Sequence, residues 1–156
     1  MKSICTFLSA FMLLSCSICI AQDDAYKEQI DKMITESESL DNFLKTNVAD
    51  FGTFDKWLKD FKKLAEKFEK DFSAAYKEKK SFKAVKESVN GLSLAWGMLH
   101  RAKYAEEQYQ ESITLNQVGY AHKWKSTAAE ERKKALDTIA QALESLKKSK
   151  DLLQEE

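Results

Sequence analysis

The stretch from Phe54 to Tyr76 narrows the folding options of this chain more than any other. Phe54, Trp57, Leu58, Phe61, Leu64, Ala65, Phe68, Phe72, Ala75 and Tyr76 recur at steps of three and four. At 100° per residue they fall within roughly 120° of arc, the width of a core-facing helix stripe. Lys56, Lys59, Lys63, Glu66, Lys70 and Lys77 fall on the other side. Rings crowded along one edge of a helix need partner helices to cover them.

The rest of the chain supplies such partners. It contains no proline and 32% charged residues, which suits long uninterrupted helices. Tyr26, Ile30, Met33, Leu40 and Leu44 mark one face of a first helix. Gly52 is placed to end it, and Thr53 to cap the aromatic helix that follows. Beyond Tyr76, phase decides the boundary. A continuing helix would carry Lys79, Lys83 and Lys86 onto the buried arc, whereas Phe82, Val85, Val89, Leu92, Trp96 and Leu99 form a stripe of their own. A turn at Lys77–Ser81, with Ser81 as cap, resolves the conflict better than a break at Asn90-Gly91. Residues 91–100 are apolar nearly all round, which predicts a surrounded, central segment. Asn116 to Gly119 reads as an exit, Tyr120 to Lys125 as a link with two rings and a histidine, and Thr127 to Glu130 as a capping box. Arg132, Leu136, Ile139, Leu143, Leu146 and Leu153 mark the last helix. The expected fold is all-α, an antiparallel four-helix bundle with helices at about 23–48, 54–77, 82–115 and 128–153.

The first residues read as a targeting segment. Lys2 precedes a short apolar run, Ile4 to Leu14, and Cys19-Ile20-Ala21 precedes Gln22 with small residues where a signal peptidase reads. This predicts a signal peptide over 1–21 and a bundle domain over 22–156. A membrane anchor extending to Ile20 is the rival, weakened by Ser9, Ser15 and Ser17. Leu13-Leu14-Ser15-Cys16 resembles a bacterial lipobox, and that resemblance implies lipidation at Cys16. All three cysteines lie in this leader. A domain starting at Gln22 therefore has no disulfide and relies on its core.

Motifs for chemistry are sparse. Lys+Arg and Asp+Glu are both 25, which argues against a nucleic-acid binder. Arginine occurs only at 101 and 132. His100 and His122 are each preceded at the third position by glycine, so neither forms the Glu-x-x-His of a di-iron bundle. No H-E-x-x-H, nucleophile elbow or phosphate loop occurs. No enzyme activity, cofactor or metal is expected. The Lys-rich, Arg-poor, proline-free helices behind an export signal look like small bacterial envelope proteins in style, which carries no functional residue over.

The expectation is an exported, non-enzymatic bundle that is secreted, periplasmic or at the cell envelope. It would act as a protein-binding or surface-interaction protein, with membrane contact only through the leader or a lipid anchor. One alternative is a carrier of an apolar, lipid-like ligand, lined by Trp57, Phe61, Phe68 and Trp96. Another is a coiled-coil-like structural or chaperone homo-oligomer using the heptad faces.

Overall fold

The computed structural model describes residues 21–38, 40 and 51–155. Helix α1 is described over residues 21–38 and 40. Helices α2 (Phe51–Tyr76), α3 (Lys80–Thr114) and α4 (Val118–Glu155) follow. The described residues form an all-helical bundle with no strands. Leader residues 1–20, including Cys16, and the expected end of the first helix at Phe43, Leu44 and Val48 lie outside the described residues.

The aromatic stripe forms the core. Phe54, Leu58, Phe61, Ala65, Phe68, Phe72 and Tyr76 are buried, Trp57 and Leu64 half-buried, and Ala75 exposed. Tyr26 of α1 is held between rings, stacked on Tyr76 at 4.2 Å and on Phe68 at 5.4 Å. Phe82 of α3 stacks on the other side of this cluster, 5.3 Å from Phe68. Polar atoms of the cluster find partners: the Tyr26 hydroxyl bonds Ser81 Oγ at 2.9 Å, and Tyr76 donates to Asp23 at 2.5 Å. Such partners keep buried hydroxyls from costing stability.

The contact between α3 and α4 is built differently. On α4, Ala121, Ala128, Ala135, Ala142 and Ser149 recur every seventh residue and are all buried. Ser88, Ala95, Ala102, Ala105 and Ser112 are buried on α3. Small side chains at this spacing let two helix backbones approach closely along a heptad seam. The two arginines tie the seam at its edges: Arg101 Nε donates to Glu131 at 2.8 Å, and Arg132 pairs with Glu106. Lys150–Asp31 (2.8 Å) links α4 to α1, and Lys86–Glu69 (2.7 Å) links α3 to α2. These pairs are exposed and screened by solvent, so each contributes little to stability.

Several sequence expectations need correction. Helix α2 includes Phe51, so Gly52 and Thr53 lie within the helix rather than before it. The phase argument places the α2–α3 link correctly, at residues 77–79, and Asn90-Gly91 is mid-helix. Ser81 is not the cap, however. Lys79 takes that position without a side-chain bond, and Ser81 is fully buried against Tyr26. The segment around 91–100 is not surrounded, because Leu94 is 64% exposed. Helix α4 begins ten residues before the expected 128, so Tyr120 to Lys125 is helical. Thr127 caps nothing; its hydroxyl bonds back to the Lys123 carbonyl at 3.0 Å, a mid-helix habit of threonine. The small-residue seam is the physical reason. Ala121 and Ala128 extend the spacing of Ala135 and Ala142, and packing on α3 carries the helix through the polar stretch.

One buried polar atom stands out. Ser88 is 0% exposed, and its hydroxyl has no hydrogen-bond partner among the described residues. An unsatisfied buried hydroxyl costs about 1–3 kcal/mol. Ser88→Ala removes it within a seam that already accepts alanine. Urea unfolding should show a gain of about 1 kcal/mol; a loss would mean that the hydroxyl is satisfied in solution.

Candidate functional site

The ends of α3 and α4 extend past the end of α2. At 35 and 38 residues these helices span about 52 and 57 Å, against about 39 Å for the 26 residues of α2. The start of α2 marks where its cover stops. The Phe51 ring lies 6.1 Å from Trp96 and 5.7 Å from His100, and the Lys103 ammonium sits over it at 5.7 Å. Among the described residues, α3 beyond Lys103 and the beginning of α4 are covered mainly by each other.

The turn between them is compact. Leu115 ends α3, and Asn116 takes a left-handed conformation at φ 55°. Gln117 N–H bonds the Ser112 carbonyl at 2.8 Å, and Asn116 N–H bonds Ile113 at 3.0 Å. This pair of bonds is a Schellman closure, and it satisfies carbonyls that a helix end leaves open. Asparagine tolerates the left-handed region better than most residues, so Gly119 is not needed for the exit and sits in the first turn of α4.

The surface here is unlike the rest. All eight residues from Ile113 to Tyr120 are exposed and none is charged. Ile113, Leu115, Val118 and Tyr120 are between 52% and 71% exposed. In a chain with 32% charged residues, apolar side chains clustered at one end form a patch rather than the scattered singletons of an ordinary surface. Below the patch, Tyr104 and Trp124 meet edge to face at 6.0 Å. The patch follows from the seam: with alanine and serine filling the contact between the helices, the larger side chains have no interior to enter.

The sequence-derived ligand-lining residues are dispersed. Trp57 and Phe61 border an open groove of about 370 Å³ with Lys32, Glu36, Asp60 and Leu64. Phe68 borders a groove of about 310 Å³ between α2 and α3, rimmed by Lys62, Glu66, Glu69 and Lys86. Trp96 borders neither. Trp57 Nε1 donates to the Glu36 carbonyl at 3.2 Å, and Trp96 Nε1 to Asp55 at 2.8 Å. His100 is exposed against Phe51 and Trp96, and His122 is exposed on α4. No group of His, Cys, Asp or Glu among the described residues is arranged to hold a metal ion. No described helix is long and apolar enough to cross a membrane.

Asp55 links α2 to α3. It accepts from Lys59 at 2.7 Å and from Trp96, and these bonds hold its carboxyl below the usual carboxylate range. A depressed folded-state pKa stabilises above the unfolded value, about 3.9, and that contribution is lost as pH falls through the folded value. Unfolding at pH 3 and pH 7 should therefore differ less in Asp55→Asn than in the wild type; an unchanged difference counts against the link.

No protein-family model matches the chain, and neither a curated protein nor a solved structure matches it.

Proposed function

We propose that this chain is an exported, non-enzymatic helical bundle that works as a surface or envelope interaction protein, binding its partner through the exposed end of α3 and α4. Export rests on the leader, with its Lys2, apolar run and Ala21 cleavage site. An antiparallel order of helices is supported by contacts at both ends. Tyr26 near the start of α1 stacks on Tyr76 at the end of α2, Phe51 at the start of α2 meets Trp96 and His100 far along α3, and Lys150 of α4 pairs with Asp31 of α1.

One observation carries the binding reading: the run of exposed, uncharged residues from Ile113 to Tyr120. Keeping such a patch in water has no structural return, because these side chains add nothing to the seam. A binding partner would bury them.

A photo-crosslinking residue at Val118, compared with one at Lys63 on the charged face of α2, tests this in the living source cell. The expected result is an adduct, to protein or to lipid, from position 118 and none from position 63. Equal labelling at both sites, or none at 118, defeats the proposal.

A further inference from the structure

The exposed end is ordered along its length. The uncharged run 113–120 is outermost, the Tyr104–Trp124 pair lies beneath it, and the ion pair Arg101–Glu131 lies beneath that. Trp124 is eight residues from the turn at Asn116, or about 12 Å at the helical rise.

The charges near the rings are unequal. Glu107 is matched by Lys103 at 3.8 Å, whereas Glu111 accepts only from the neutral Gln108, at 3.2 Å, and keeps its charge. Lys123 and Lys125, flanking Trp124, are exposed and carry no ion pair among the described residues. Between Gln108 and Ala129 the only charges are these two lysines and Glu111, with His122 beside them.

We infer that the partner of this end is an anionic lipid surface. This rests on the binding reading above and departs from the sequence expectation that membrane contact belongs only to the leader or an anchor. Leu115, Val118 and Ile113 enter the interface. Tyr104 and Trp124 sit at headgroup level, the depth where amphipathic rings settle, and Lys123 and Lys125 face lipid phosphates. The 12 Å between turn and ring is of the same order as the roughly 5–10 Å to which apolar protein surface buries into the headgroup and acyl boundary. The closed turn suits that depth, since it brings few unsatisfied carbonyls with it. Charge complementarity favours an anionic over a neutral bilayer, because the two unmatched lysines at the phosphate level outnumber the one unmatched carboxylate, Glu111.

The test is sedimentation of the purified protein with vesicles of phosphatidylcholine plus phosphatidylglycerol, and with phosphatidylcholine alone. Stronger binding to the anionic vesicles is expected. The pair Leu115→Asp, Val118→Asp should weaken it about tenfold or more, and the pair Lys123→Glu, Lys125→Glu by a similar factor. Leu94→Asp changes an equally exposed leucine on the body of the bundle and should leave binding intact. Circular dichroism melts of all variants report folding separately. Absent binding, or binding indifferent to the end variants, overturns the lipid assignment. If position 118 still crosslinks a protein in cells, the binding reading survives with a protein partner; if neither assay responds, both fall.

Discussion

Phe68→Ala should lower stability by about 3–5 kcal/mol, the range for emptying an aromatic site in a packed core. The ring is 1% exposed and sits where three helices meet. It stacks on Tyr26 of α1 at 5.4 Å and Phe82 of α3 at 5.3 Å, and tilts against Phe72 of its own helix at 5.4 Å. Truncation therefore removes contacts on every side, and rigid neighbouring rings fill a void poorly. In a domain of this size the loss corresponds to a melting point lower by roughly 10–20 °C. Denaturant unfolding of the variant beside Phe51→Ala, at a half-buried position, checks it. A loss under about 1 kcal/mol for Phe68 would mean that the rings do not form the core in solution.

That prediction draws on what the sequence made legible. The period of the aromatic stripe specifies a helix and its buried face, because large apolar side chains have one energetically sensible direction to point. The shift of phase after Tyr76 locates the α2–α3 link without any proline or glycine to mark it. Both signals come from large residues.

What stayed hidden was carried by small ones. Ala121, Ala128, Ala135 and Ala142 repeat every seventh residue, but alanine is equally at home on a solvated helix face, so its spacing carries little weight beside leucine. The helical state of Tyr120 to Lys125 was therefore hidden too, since only the seam explains it. Leu94 misled in the opposite way. An apolar residue in an apolar run looks buried, yet α3 has neighbours on only part of its circumference. The exposed end was hidden for the same reason. Ile113, Leu115, Val118 and Tyr120 lie near a turn, and only the unequal helix lengths show that nothing in the described chain covers them. The seven-residue recurrence of small residues on α4 was the signal that could have found it.

Gly91→Leu should cost about 1–3 kcal/mol through overpacking, against the direction of intrinsic preference. Leucine is a better helix former than glycine by nearly 1 kcal/mol, so a loosely packed seam would turn the substitution into a gain. The geometry decides against a gain. A β-carbon at position 91 would stand 2.9 Å from Ala142 Cβ, closer than carbon atoms pack without displacement, and 3.7 Å from its Cα. The obstacle is a backbone-proximal methyl on a helix held by Ala135, Ile139 and Leu146, so it cannot swing aside as a long side chain would. Relief requires α3 and α4 to separate, which opens the seam on both sides of the site. Gly97 provides the control. There a β-carbon would meet only the Arg101 guanidinium at 3.9 Å, and Gly97→Ala should gain about 0.5–1 kcal/mol from helix propensity alone. Urea midpoints moving in opposite directions would show that close approach, not glycine's flexibility, is why position 91 lacks a side chain. Two shifts of the same sign would remove the tight α3–α4 seam, and with it the reason that the large residues at the far end are left outside.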